Sequence, residues 1–348
     1  VPRDLAVSAP VGGPVAGAER VAGIDIGTNS IHLVVAERGA GGGVTVVDRW
    51  RHTARLGAGS HAAGTLADDA IDRALATLTE MRRRCEALGV TTVLAVATSA
   101  ARDATNAAAF VERAHREAGI DVTVIDGATE ARLIHLGVLA ALGTDLDLDH
   151  RQHLVVDVGG GSTEVVVAVG TRRELAVSLQ VGAIRLTDAA APGGIVTGDT
   201  EAIVRASVRA ELDRLGGIDQ QVREQAPEVV IASSGSASTV VSMCRALDGD
   251  PRVRPSGELN GATVTRSEFA SVVRRLLAAP DPALRRELPG LAPERVDIAP
   301  AGAVVLDEVL RRCSPAEPVA SDVAFVFSAG ALRDGLVAEL LGPRDAPP

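Results

Sequence analysis

The chain has 348 residues, 46% of them apolar and only 1% aromatic, and carries a formal net charge of −10 in which every cation is arginine, since the sequence contains no lysine. That length suits two domains with cores of Val, Leu, Ile and Ala. A P-loop lysine and a Schiff-base lysine are excluded outright, and the acidic balance argues against nucleic acid as a partner. In chain order, residues 1–20 are rich in Pro, Gly and Ala without a compact apolar block, which reads as a disordered tail and not a signal peptide. VAGIDIGTNSIHLVVAE (21–37) reads as strand, turn, strand. Residues 44–56 read as another strand, and a Gly-rich stretch covers 57–64. A helix is expected over 66–88, with Asp68 and Asp69 early, Arg82 to Arg84 late and Gly89 as its stop. VTTVLAVATSAARDATNAAAFVERAHREAG reads as strand, Ser-bearing turn and one helix ending at Gly119. VTVIDGATEARLIHLGVLAAL reads as short strand, Gly turn and helix. LVVDVGGGSTEVVVAVG (154–170) is two strands buried on both faces, followed by a polar loop and a helix near 200–215. PEVVIASSGSASTVVSMC is again strand, small-residue turn and helix, helical segments follow to about 312, and VAFVFSAGALRDGLVAELL closes the chain in the same pattern. Alternating strands and helices make this an α/β chain. Its expected division is a tail over 1–20, a first domain over 21–132, a second over 133–340 and a tail over 341–348.

No run of eighteen apolar residues lacks a charge, so no membrane span is expected. Cys85, Cys244 and Cys313 are scattered and odd in number, which suggests free thiols in a reducing cytoplasm.

One internal repeat organises the reading. A shift of 132 residues lays Asp25 on Asp157, Gly27 on Gly159, Ser30 on Ser162 and His32 on Glu164, with LVVA (33–36) over VVVA (165–168). Each copy is strand, D-x-G-x-x-S, strand, which suggests two similar domains around a cleft. A Gly-rich turn exposes backbone N–H groups that can hold phosphate oxygens. Thr28, Asn29, Ser30, Ser162 and Thr163 add side-chain donors. An aspartate beside such a turn would repel phosphate unless a divalent cation bridges the two, so Asp25 and Asp157 are candidate Mg²⁺ ligands with Glu164 as a third.

Other residues read two ways. Ser99 and Arg102 stand where a strand turns into a helix, as an N-cap and a surface arginine or as an anion site. Glu130 lies in the first turn of a helix, as a dipole-favoured cap or as a base that orients water for attack on phosphorus. SSGSAS (233–238) offers another anion or nucleotide-phosphate nest and lacks the register of a nucleophile elbow. The seven histidines show no zinc spacing, and His32 and His135 read as partly buried polar helpers.

The ordered set D-I-G-T-N-S, A-T-S-A-x-R-D-A, G-x-x-E-A-R-L, D-x-G-G-G-S-T-E and S-x-G-A-L-R-D-G resembles the exopolyphosphatase / guanosine pentaphosphate phosphohydrolase (Ppx/GppA) family of the actin–sugar kinase–Hsp70 superfamily, over roughly 20–340. The resemblance implies two actin-like, ribonuclease-H-type domains with the active site in the cleft between them. It implies Glu130 as the catalytic base and Asp25, Asp157 and Glu164 as metal-associated acids. Gly27, Thr28, Asn29, Ser30, Ser99, Arg102, Gly159, Gly160, Gly161, Ser162 and Thr163 are implied as phosphate contacts, and Gly235 and Ser236 as the turn where the wider superfamily binds nucleotide. Ala329 departs from the polar residue many relatives carry there. The chain is similar to the short, two-domain form, which favours short-chain polyphosphate. The expected activity is Mg²⁺- or Mn²⁺-dependent release of terminal orthophosphate from polyphosphate by a cytoplasmic homodimer. The alternatives are hydrolysis of guanosine pentaphosphate (pppGpp) to the tetraphosphate, a kinase of the same superfamily, and a non-catalytic polyphosphate or alarmone sensor.

Overall fold

The computed structural model describes residues 7–8, 19–39, 43–249, 251–314 and 322–342. Of the two expected tails, the part from 343 onward and most of 1–18 lie outside the described residues; Val7–Ser8 forms a two-residue strand. The chain divides into two compact units, Val1–Ala140 with Leu332–Pro348, and Ala141–Ala331. The boundary expected at 132/133 falls inside the helix Gly127–Leu142, and the closing helix, expected in the second domain, packs in the first unit.

The first unit is built on strands β1 (Val7–Ser8), β2 (Arg20–Ile26), β3 (Ile31–Arg38), β4 (Val44–His52), β5 (Thr92–Ala97) and β6 (Val122–Val124). Their order is β1-β5-β2-β3-β4, with β6 also on β5. The second unit carries β7 (Gln152–Val158), β8 (Thr163–Val169), β9 (Arg172–Leu179), β10 (Val229–Ser233), β11 (Thr263–Thr265) and β12 (Val323–Phe327), in the order β11-β12-β10-β7-β8-β9. The repeat is therefore topological as well as sequential. β6-β5-β2-β3-β4 and β12-β10-β7-β8-β9 have the same order, each an antiparallel meander joined to strands running parallel to its first member. The 132-residue offset holds in the register too: Asp25 pairs with His32, and Asp157 with Glu164.

Each sheet buries apolar side chains under helices that form its crossovers. Ile24, Ile26, Leu33 and Ala95 meet Ile71, Leu78 and Met81 of the helix Asp68–Ala87 in one core. Leu154, Val156, Val165 and Val167 meet Val240, Val304 and Val309 in the other. Val21 and Val34, in the first sheet, pack on Val337 and Leu341 of the closing helix Leu332–Leu341. Two glycines explain why that helix docks there. A Cβ on Gly23 would stand 2.9 Å from the Arg333 carbonyl, and one on Gly335 only 1.8 Å from the Leu133 carbonyl. Only glycine permits a strand and a helix, or two helices, to bring their backbones this close.

Three local expectations are corrected. The strand expected over 44–56 ends at His52, because Arg55 turns to a left-handed φ of 51° and donates its amide to the Asn29 carbonyl at 2.8 Å. The single helix expected before Gly119 is broken after Asp103, where the Asn106 side chain bonds both the amide and the carbonyl of Leu66 at 2.9 Å. The polar loop expected after residue 170 contains β9, whose charged opening Arg172–Glu174 hides the alternation of Leu175, Val177 and Leu179.

Candidate active site

In the first unit the candidate residues gather at one edge of the sheet. β2, β5 and β6 run parallel and end in one row, Ile26 beside Ala97 and Ala97 beside Val124. The segments leaving those ends are the loop 27–30, the helix Ser99–Asp103 and the helix carrying Glu130. In open α/β sheets ligands bind beyond the carboxyl ends of parallel strands. The loop and the short helix touch through Gly57, where an added Cβ would meet Thr28 Cγ2 at 2.3 Å and Ala100 Cβ at 2.8 Å. Asp126 starts the Glu130 helix by accepting the Thr129 amide on its carboxylate at 2.8 Å, while its carbonyl takes the Glu130 amide at 3.0 Å. That bond from Thr129 holds the Asp126 carboxyl below the usual carboxylate range. Arg102 Nη1 donates to Glu130 Oε2 at 2.8 Å and to the Ile125 carbonyl at 3.1 Å, joining the second and third segments. Glu130 is 6% exposed.

The loop 27–30 is polarised. Gly27 N closes it on the Ser30 carbonyl at 3.1 Å. The Thr28 and Asn29 carbonyls are taken by the amides of Gly57 (2.9 Å) and Arg55 (2.8 Å). Among the described residues, nothing accepts from the Thr28 and Asn29 amides, and Asn29 Oδ1 is buried without a hydrogen-bond partner. Carbonyls tied to the protein and amides left to the outside make an anion nest.

The second unit repeats the device by different means. Gly159 N closes its loop on the Ser162 carbonyl at 3.0 Å. The Gly159 carbonyl accepts from Ala183 N (2.9 Å), the Gly160 carbonyl from Ile184 N (2.8 Å) and Arg185 N (3.1 Å), and the Gly161 carbonyl from Arg185 Nε (2.8 Å). The amides of Gly160 and Gly161 have no described acceptor. Thr163, expected to touch phosphate, is fully buried and donates its hydroxyl to the Val181 carbonyl at 2.7 Å, holding the loop against the chain after β9.

A row of side chains crosses the second sheet beneath that loop: Ser233, Asp157, Glu164 and Ser178, on β10, β7, β8 and β9. Ser233 donates to Asp157 and Ser178 to Glu164 Oε1 at 2.8 Å. Asp157 and Glu164 are 6% and 2% exposed. Two carboxylates directly opposite on neighbouring strands repel unless a cation or proton is shared between them. The corresponding row of the first unit reads Val96, Asp25, His32, Arg51, one acid followed by two basic residues, and Asp25 is half-buried. Among the described residues no group of three or more His, Cys, Asp or Glu is gathered to hold a metal alone.

The turn 233–236 is more occupied than its sequence suggests. Ser234 and Ser236 both donate their hydroxyls to the Val158 carbonyl, at 2.8 and 3.1 Å. Ser234 has a left-handed φ of 78°, and the Arg295 guanidinium lies against Gly235. Sequence reasoning passed over Arg55, Ser178, Arg185 and Arg295. Arg55 and Arg185 act through backbone carbonyls, Ser178 through a cross-strand neighbour and Arg295 through Gly235 and Ser236 of a distant turn, and no local spacing announces that.

The model of the Ppx/GppA phosphatase family matches residues 34–343. The chain is 29% identical over 325 residues to exopolyphosphatase 1 of Mycobacterium tuberculosis, covering 91% of this chain and 87% of that protein. It is similar to the crystal structure of an exopolyphosphatase-like protein at 30% identity and a TM-score of 0.79, covering 92% of this chain and 98% of that one. The fold is also that of an exopolyphosphatase from Cytophaga hutchinsonii, with a TM-score of 0.81 at 24% identity over 93% of this chain and 98% of that chain. With the duplicated sheet, the twin polarised loops and a family match over most of its length, this chain belongs to the Ppx/GppA phosphatase family.

Proposed function

We propose that this chain is an exopolyphosphatase that releases terminal orthophosphate from inorganic polyphosphate. The observation that carries the reading is the pair of loops, 27–30 and 159–162, each with its carbonyls tied back and its middle amides presented. Such amides stabilise phosphoryl oxygens without needing lysine. Water, oriented by Glu130, attacks the terminal phosphorus and gives a proton to that carboxylate. The bond from phosphorus to the bridging oxygen breaks, and its electron pair leaves with the shortened chain. Arg102, fixed to Glu130 and Ile125, holds the carboxylate in place and adds positive charge beside the phosphate.

A divalent metal fits the second unit. Mg²⁺ takes one or two carboxylates and fills its other positions with water and phosphate oxygens, which suits the opposed pair Asp157 and Glu164. Asp25 is the further candidate ligand, on the first unit. Bound there, the ion would neutralise charge on the phosphate oxygens. The buried free thiols suit a reducing cytoplasm.

The test is orthophosphate release from short and long polyphosphate and from guanosine pentaphosphate, with Mg²⁺, Mn²⁺ or EDTA, in wild type and Glu130→Gln. The expected result is metal-dependent release from polyphosphate, falling by about 10²–10⁴-fold in the variant. A higher kcat/KM on guanosine pentaphosphate would favour the nucleotide reading. Binding without release from any substrate would favour the sensor, and release unchanged in Glu130→Gln would remove the assigned base.

A further inference from the structure

Ser233–Ser236, the last residue of β10 and the start of the helix Ser234–Leu247, has the composition of a nucleotide-phosphate nest, and a glycine in such a turn ordinarily lets a ligand approach the backbone. Here an arginine makes that approach. A Cβ added to Gly235 would stand 2.2 Å from Arg295 Nη1, 2.8 Å from Cζ and 3.2 Å from Nη2, so the guanidinium covers the glycine face. Arg295 Nη2 also donates to Ser236 Oγ at 3.5 Å, and the hydroxyls of Ser234 and Ser236 donate to the Val158 carbonyl. The turn is therefore filled on its glycine face, and its hydroxyls are already donating.

This plug stands beside the phosphate loop of the same unit. Ser236 Oγ and Ala183 Cβ both border Gly302, at 2.7 and 3.1 Å from where its Cβ would be, and Ala183 N holds the Gly159 carbonyl at 2.9 Å. A phosphate chain on Gly160 and Gly161 would thus have a guanidinium, and not an open slot, at the neighbouring turn. We propose that Arg295 is a specificity-determining residue that closes this turn to a nucleoside and leaves the site to a bare phosphate chain. Steric closure excludes the base and sugar. The inference rests on the exopolyphosphatase reading and deepens it to a substrate class.

The experiment compares guanosine diphosphate with inorganic pyrophosphate, which share a diphosphate and differ by the nucleoside. Binding is read by calorimetry, and inhibition of tripolyphosphate hydrolysis by orthophosphate release, in wild type, Arg295→Ala and Arg295→Lys. In wild type the nucleoside should add nothing, so guanosine diphosphate binds no more tightly than pyrophosphate. Arg295→Ala should move that ratio at least tenfold toward the nucleotide, while Arg295→Lys, which keeps bulk and charge, stays near wild type. Guanosine diphosphate binding tenfold tighter than pyrophosphate in wild type overturns the proposal. So does an unchanged ratio in an Arg295→Ala protein that melts like wild type. If Arg295→Ala does not fold, the wild-type ratio decides alone. Absence of orthophosphate release from tripolyphosphate would defeat the hydrolase reading instead, and the calorimetric ratio would still report on the turn.

Discussion

Arg102 reaches Glu130 through one nitrogen only. Nη1 donates to Glu130 Oε2 at 2.8 Å and to the Ile125 carbonyl at 3.1 Å, while Nη2 is buried without a hydrogen-bond partner. A buried charged donor left unpaired is costly, on the order of 1–3 kcal/mol, and a phosphate oxygen is the partner that would relieve it. Arg102→Lys is expected to lose at least about tenfold in kcat/KM on polyphosphate, because one ammonium cannot hold the carbonyl, the carboxylate and a phosphate in a fixed plane. Arg102→Ala should lose more. Steady-state orthophosphate release checks both, and a lysine variant with wild-type kcat/KM would mean that the guanidinium geometry is immaterial.

Gly182 supports the loop 159–162 by having no side chain. A Cβ there would stand 2.6 Å from the Gly160 carbonyl oxygen and 2.7 Å from the Gly161 carbonyl carbon, both backbone atoms that cannot swing away. Gly182→Ala should therefore displace the nest, raise KM for polyphosphate and cost about 1–3 kcal/mol of stability. Gly198→Ala is the control, since nothing lies within 4 Å of its added carbon. Melting curves and KM for the two variants test the contrast; equal behaviour would show that the loop yields freely.

The repeat was legible because both copies keep Asp, Gly and Ser at the same spacing between buried strands, and strand order and register follow it. Glu130 and Arg102 were legible as candidates, but their contact was not: 28 residues separate them, and they meet only because β5 and β6 end side by side. The division of the closing helix was hidden for a related reason. Its place in the first unit depends on Gly23 and Gly335, far apart in the chain, each leaving room for backbone. β9 was missed because two arginines and a glutamate open it, which masks the period of two that marks a strand.

Asp126 caps the helix that presents Glu130, and the Thr129 amide keeps its carboxyl below the ordinary range. A carboxyl whose pKa is lowered on folding contributes stability above its unfolded pKa and loses that contribution as pH falls through the folded value. Asp126→Ala is thus expected to destabilise at neutral pH by about 0.5–2 kcal/mol. The deficit relative to wild type should shrink below the ordinary aspartate range, roughly pH 4, where the native carboxylate itself becomes protonated. Asp126→Ser, which keeps an oxygen acceptor, should recover most of the loss. Denaturant titrations across pH measure this, and a deficit independent of pH would show that the cap acts without its charge.

Glu308 sits at 0% exposure inside the second unit and accepts from Arg209 Nε at 2.6 Å and Arg205 Nη1 at 2.9 Å. Burial pushes its pKa upward, and the hydrogen bonds from Arg209 and Arg205 more than offset that, leaving the carboxyl lowered. Removing the acid takes a carboxylate from Arg209, Arg205 and Arg311, of which Arg205 keeps Asp307 at 2.6 Å and Glu201 at 2.8 Å. Glu308→Ala is expected to cost about 1–3 kcal/mol, and the loss should be recovered in part by Glu308→Gln, which keeps an acceptor. Because the lowered carboxyl contributes only while ionised, the gap between wild type and Glu308→Ala should narrow as pH falls below the ordinary glutamate range, roughly pH 4. Urea unfolding of the three proteins at neutral and acid pH checks both statements. An alanine variant as stable as wild type at neutral pH would show that water replaces the carboxylate without cost.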